Sequence, residues 1–296
     1  MQIVSLLPSA TEILFDLGLG DQVVGVTFEC DFPPEAKTRR IVSTSALPSD
    51  LTPGEIDAVV KERIAAGEDL YRLDRGALAD LDPDLIITQD LCAVCAVDVT
   101  EVDDALEFLM CSAEVVTLDP MTLFEVIESI NTVGAATDTE ANAAAIIAGL
   151  NARLNMTSSK LIGVRRPRTL VLEWTDPAFT AGHWVPDMVT FAGGESILGR
   201  PGENSQGVEW STIRDANADV VVVSPCGFRL EGAVELGRQL LAEDYLPPNA
   251  AVWAIDADAF MVRPGPRVVE GVEILAQILH PDLFGGPSPS QAISLA

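Results

Sequence analysis

A chain of 296 residues exceeds the length typical of one domain, and its 48% hydrophobic content excludes the disordered and fibrous classes. The formal charge is −27, from 45 acidic against 18 basic residues, of which only Lys37, Lys61 and Lys160 are lysines. That balance disfavours nucleic acid and anionic membrane surfaces as partners, because both need clustered Lys and Arg, and no stretch reaches the roughly 18 uninterrupted apolar residues of a spanning helix.

The acidic excess serves solubility, and it also suits a high-salt interior, where salt screens the mutual repulsion of Asp and Glu. Five cysteines (Cys30, Cys92, Cys95, Cys111, Cys226) are an odd count in a chain too long to need staples, so no disulfide framework is indicated. Met1-Gln2-Ile3-Val4-Ser5 offers neither a basic segment nor a small-residue cleavage site. The chain as it stands is therefore expected to be cytoplasmic, or extracytoplasmic if a leader has been removed.

In chain order, an apolar run over 2–7 predicts a strand, and Ser9-Ala10-Thr11-Glu12 predicts a capping box before a helix that stops at Gly18-Leu19-Gly20. A strand follows over 23–26, then a loop over 28–40 and a helix over 52–66 opened by Pro53 and Glu55. Strands are expected again at 85–88 and 115–118, with a helix over 101–110 between them. Alternation at these lengths argues for a parallel sheet covered by helices. From Thr122, with Glu125 completing a capping box, helical periodicity continues to about 161. One uninterrupted helix of that length spans ~60 Å; a break at Thr137-Asp138-Thr139 would instead give two ordinary helices. After Arg165-Arg166-Pro167 the alternation restarts, with strands at 169–174, 220–224 and 252–255 and helices at 186–192, 231–242 and 267–279.

The expected plan is α/β: two Rossmann-like lobes with parallel sheets, joined by one long backbone helix. The lobes are assigned to 1–118 and 164–284, the linking helix to 119–163 and a frayed tail to 285–296. Ligands of open parallel sheets sit beyond the carboxyl ends of the strands. The candidate loops are Thr27-Phe28-Glu29-Cys30-Asp31-Phe32, Gln89-Asp90-Leu91-Cys92-Ala93-Val94-Cys95, Glu173-Trp174-Thr175-Asp176-Pro177, Ala181-Gly182-His183-Trp184-Val185-Pro186 and Pro225-Cys226-Gly227-Phe228. Trp174, Trp184 and Trp210 cluster in one lobe's connections, where a large ring either plugs a core or lines a cleft.

Cys92-x-x-Cys95 has the spacing of a redox pair, yet structural zinc would need a second ligand pair at short spacing, which is missing. His280 reads as a helix C-terminal residue, and His183 is the better candidate for ligand contact. No Gly-x-Ser-x-Gly elbow, phosphate loop, Gly-x-Gly-x-x-Gly or His-Glu-x-x-His is present, so no catalytic residue is assigned and an enzyme is not expected.

The opening Ile3-Val4-Ser5-Leu6-Leu7-Pro8-Ser9-Ala10-Thr11-Glu12-Ile13, Leu17-Gly18-Leu19-Gly20, Asp82-Pro83-Asp84-Leu85-Ile86, Ala192-Gly193-Gly194 and Arg263-Pro264-Gly265-Pro266-Arg267 resemble the helical-backbone substrate-binding proteins of ABC importers. Gln89-Asp90-Leu91-Cys92-x-x-Cys95 and Gly182-His183-Trp184-Val185-Pro186 look like the cobalamin-binding branch. The resemblance runs to about residue 284. It implies a corrinoid ligand in a cleft between the lobes, no required cofactor, no protein-bound metal, a monomer, and an ABC importer permease as a possible partner. Transferred to this sequence, contacts are expected from Glu29, Cys30, Asp31, Phe32, Gln89, Asp90, Leu91, Cys92, Cys95, Trp174, Asp176, His183, Trp184, Pro186, Trp210, Cys226, Gly227 and Phe228. Two alternatives remain: haem or a ferric siderophore, which calls for the Arg229, Arg263 and Arg267 cluster, and a thiol-dependent enzyme of corrinoid or metal metabolism on the same scaffold.

Overall fold

The computed structural model describes residues 1–48, 50–66, 68–89 and 113–296. Asp90, Leu91, Cys92 and Cys95, and the helix expected at 101–110, lie outside the described residues. Two compact units emerge, one comprising 1–119 with 127–147, the other 120–126 with 148–296. The segment expected as a separate linker is thus apportioned between them.

In the first unit, β1 (Ile3–Ser5), β2 (Val23–Thr27), β3 (Arg40–Ser45), β4 (Tyr71–Leu73), β5 (Leu85–Thr88) and β6 (Glu114–Thr117) form a sheet in the order β4-β3-β2-β1-β5-β6. All pairings are parallel except β3 with β4. β1 and β5 are buried along their whole length, as strands covered on both faces must be. The chain builds outward from β1 to one side and later from β5 to the other, which places the topological switch between them.

Helix α1 (Pro8–Asp16) begins two residues earlier than the Ser9 box implied. Leu7 is the extended N-cap and Pro8 occupies the first turn, where its fixed φ and missing N–H carry no penalty. Ser9 and Glu12 consequently lie inside the helix, on its buried face. Helix α2 (Pro53–Ala66) starts with a reciprocal cap: Thr52 N and Oγ1 donate to Glu55 Oε2 at 2.9 and 2.7 Å, and Glu55 N donates to Thr52 Oγ1 at 3.4 Å. A short helix α3 (Arg75–Ala79) follows, capped by Asp74.

In place of one uninterrupted helix there are two, α4 (Leu123–Ala136) and α5 (Glu140–Ser159). Thr122 and Glu125 form the expected capping box, with Thr122 N donating to Glu125 Oε2 at 2.9 Å. At the far end of α4, Thr137 Oγ1 donates to Val133 O at 2.7 Å, Thr139 N donates to Gly134 O at 2.8 Å, and Asp138 takes a left-handed φ of 54°. A left-handed residue of this kind terminates a helix because the next amide turns back onto the last carbonyls. The helices then pack closely: a Cβ on Gly134 would lie 2.7 Å from that of Ala143.

The second unit holds β7 (Arg168–Thr175), β8 (Ala178–Thr180), β9 (Glu195–Ser196), β10 (Gln206–Gly207), β11 (Val220–Val223), β12 (Ala251–Ile255) and β13 (Ala292–Ser294) in the order β10-β8-β7-β11-β12-β13, with β9 also paired to β7. The centre, β7-β11-β12, is parallel and the flanks are antiparallel. All four valines of β11 are buried, each contributing about 1.5–3 kcal/mol relative to exposure. Helices α6 (Val185–Phe191), α7 (Trp210–Arg214), α8 (Leu230–Ala242), α9 (Ala257–Phe260), α10 (Val268–Leu279) and α11 (Pro281–Phe284) complete the unit.

The tail is not frayed. Residues 292–294 pair antiparallel with β12, Gln291 Nε2 donates to Glu270 Oε1 at 2.8 Å, and Leu295 packs on the core.

Candidate functional site

The switch in the second unit falls between β7 and β11, so the loops leaving those strands flank the crevice where ligands of such sheets bind. Three of the expected loops meet there. Trp174 and Phe228 stand edge to face, 5.8 Å between centroids, and Trp174 Nε1 donates to Asp176 O at 3.0 Å. Cys226 N donates to Glu173 O at 3.0 Å, which ties the loop after β11 to the end of β7. Gly227 takes a φ of 78°, the turn that brings Phe228 back toward Trp174. Asp176 is exposed, Trp174, Cys226 and Phe228 are half-buried, and Cys226 is a free thiol.

The loop 181–186 joins this group through a carboxylate. Glu173 Oε2 accepts from Gly182 N at 3.2 Å and from Ser205 Oγ at 2.8 Å. His183 has a left-handed φ of 52°; its amide donates to Glu203 O at 2.7 Å, and its carbonyl accepts from Gly202 N at 3.1 Å. Burial pushes the His183 imidazole below its ordinary value, opposed by a hydrogen bond with Asn204. Burial likewise raises the Glu173 carboxyl, opposed by its bonds from Ser205 and Gly182.

Beyond β11 and β12 lies the arginine cluster. Arg263 Nη2 donates to Asp258 Oδ2 at 3.0 Å, and Asp256 Oδ1 accepts from Ala259 N at 3.0 Å as the cap of α9. Burial raises the Asp256 carboxyl, assisted by the charge of Asp258 and opposed by the Ala259 amide and by Arg229 and Arg267. Three guanidinium groups thus face two carboxylates.

Several other expected contact residues are packed or hydrogen-bonded within the protein. Trp184 is 7% exposed and its Nε1 donates to Met261 O at 2.7 Å. Pro186 is buried in the first turn of α6. The Trp210 ring is stacked on Tyr245 at 4.6 Å beside the core. In the first unit Cys30 is 3% exposed, with Sγ 2.9 Å from Thr11 Oγ1, which itself donates to Ser5 Oγ at 2.8 Å. Gln89 is also buried. Glu29 Oε2 accepts from Tyr71 OH at 3.2 Å, Asp31 is half-buried, and Phe32 is exposed beside the exposed Phe28, whose ring lies 6.0 Å from Tyr71. Among the described residues no three His, Cys, Asp or Glu side chains are grouped to hold a metal ion.

Glu173, Ser205, Asn204, Asp256 and Asp258 were not among the expected residues. Glu173 alone carried a signal: a carboxylate interrupting the apolar run Leu170-Val171-Leu172 must find donors or stay exposed.

The family described as periplasmic binding protein matches residues 3–244 of the chain. The chain is 27% identical over 96% of its length to an uncharacterized ABC transporter substrate-binding lipoprotein, YvrC, of Bacillus subtilis, covering 81% of that protein. Its fold is similar to that of a periplasmic heme binding protein from Pseudomonas aeruginosa (TM-score 0.74, 16% identity, 99% and 97% of the two chains). It is also similar to the periplasmic vitamin B12 binding protein BtuF of Vibrio cholerae (TM-score 0.66, 23% identity, 94% and 96% of the chains). At those identities the structural likeness speaks for the fold.

Proposed function

The chain belongs to the periplasmic binding protein family, the substrate-binding proteins of ABC import, and we propose that its ligand is a corrinoid of the cobalamin type, held without covalent chemistry. The observation that carries the ligand is the composition of the second unit's switch-point loops. The half-buried Trp174–Phe228 pair presents apolar ring area, while the neighbouring arginines are largely compensated by Asp256 and Asp258. Cyanocobalamin is bulky and carries no net charge, so it asks for aromatic area and little uncompensated cation. A chelate with several free carboxylates asks for the reverse.

Haem is the second reading. Its two propionates ask for fewer cationic partners than a polyanionic siderophore does, and this keeps it ahead of the siderophore. The thiol-dependent enzyme reading turns on Cys92 and Cys95, which lie outside the described residues. In the proposed role the protein partner is an ABC permease. An import receptor works on the outer side of the cytoplasmic membrane, which favours the extracytoplasmic of the two expected locations.

Thermal unfolding with a ligand panel tests the reading. A ligand at 100 times its dissociation constant stabilises the folded state by about 2.7 kcal/mol. Cyanocobalamin is expected to raise the Tm by several degrees while ferric haem and a ferric siderophore leave it within about one degree. A rise with haem alone would transfer the assignment to haem.

A further inference from the structure

The carboxylate of Glu173 receives two donors from different segments on one oxygen. Gly182 N belongs to the loop that carries His183, Ser205 Oγ to the segment that runs against it. The two segments are in close backbone contact: a Cβ on Gly182 would lie 2.6 Å from Asn204 C. The Glu173 carbonyl holds a third loop through Cys226 N, and the next residue, Trp174, supports Phe228. His183 has a left-handed φ, uncommon outside glycine, and its two backbone bonds go to Gly202 and Glu203 of that same opposing segment. Such a conformation persists only where its surroundings over-determine it. A buried polar group, in turn, needs its partners.

We propose that Glu173 is the positioning residue of the second unit's binding loops: its Oε2 joins the 182–184 and 203–205 segments, and that joint sets the His183 ring and the aromatic pair for the ligand. The inference rests on the binding role given above. Both donors converge on one acceptor oxygen, so the joint needs an acceptor rather than a negative charge. An amide oxygen serves as well as a carboxylate oxygen, whereas a methyl group serves neither donor. Both part-buried donors would then lose their partner, and the loop would relax toward a conformation that hydrates them. His183 would gain solvent, and the cause of its lowered basicity would weaken.

The test uses the full ligand-free chain, whose two histidines give two separable imidazole signals by NMR. Glu173→Gln is expected to keep both the His183 titration midpoint and the affinity for cyanocobalamin. Glu173→Ala is expected to move the midpoint back toward the ordinary imidazole range and to lower the affinity about tenfold. Ser205→Ala removes one donor alone and is expected to shift the midpoint in the same direction by less; it decides the matter should Glu173→Ala not fold. A midpoint unchanged in Glu173→Ala, or in Ser205→Ala where only that variant folds, overturns the inference. So does a Glu173→Gln variant as impaired as Glu173→Ala, which would make charge the active property. If wild type binds no cyanocobalamin the ligand assignment falls, and the His183 titration still judges Glu173.

Discussion

His183 carries opposing demands. Its ring is depressed in basicity by burial and its backbone sits in the left-handed region. Between the lowered and the ordinary imidazole value the unfolded chain binds the proton more readily than the folded one. The stability linked to this ring is therefore complete above about pH 6.5 and declines as pH falls through that value toward the lowered one. Glu173 runs the other way, because its carboxyl is raised by burial: its linked stability declines as pH rises from the ordinary carboxylate value through the raised one. Asn tolerates positive φ, so in calorimetric scans from about pH 7 to pH 5 a His183→Asn variant should lose less Tm than wild type. Parallel curves would show that the ring does not titrate in that window. The run before Glu173 signalled only that its carboxylate needs donors; which donors was not legible from neighbouring residues, since they lie 9 and 32 positions away. The same distance problem explains Trp184 and Cys30. Their partners Met261 and Thr11 are 77 and 19 positions off, and nothing local tells which side of a loop meets the core.

At the scale of elements, strands that are apolar throughout announced themselves: β1, β5 and β11 are buried from end to end and lie where the runs predict. β3 did not, because only Val42 and Ser43 of its six residues are buried. β4, β8, β9, β10 and β13 have two or three residues each, too few to display a period. The α4–α5 break was visible as an alternative, and the feature that completes it is Gly134, whose missing side chain lets Ala143 approach. Gly134→Ala removes a glycine penalty of about 1 kcal/mol but adds a methyl at 2.7 Å from another, so a net loss of about 1–2 kcal/mol is expected from denaturant unfolding. A gain in stability would mean that the helices separate readily. At the other end of the chain, deletion of 290–296 strips β13 from β12 and removes Leu295 from the core. A fall of about 2–3 kcal/mol is expected, against no change for a tail that merely hangs free.

For the whole molecule the charge of −27 opposes compaction. Among the described residues the ion pairs are mostly exposed, such as Arg40–Asp80 and Arg168–Glu195, and contribute little each. Salt therefore screens more repulsion than attraction, and the Tm should climb between about 0.1 and 1 M KCl, over which the Debye length falls from about 10 to 3 Å. A falling Tm would show that the pairs outweigh the net charge. The fold was legible because family-wide turns and apolar runs extend over nearly the whole chain, and the family match over 3–244 agrees with it. Ligand identity was less so, since it depends on which arginines are compensated and which rings stay open, and those are tertiary facts. The most direct measurement is a tryptophan-fluorescence titration in high salt, with cyanocobalamin and ferric haem run in parallel on wild type and on Trp174→Leu. The corrinoid reading predicts saturable one-to-one quenching by cyanocobalamin and a markedly weakened response in the variant. Saturation by haem with no response to cyanocobalamin would contradict it.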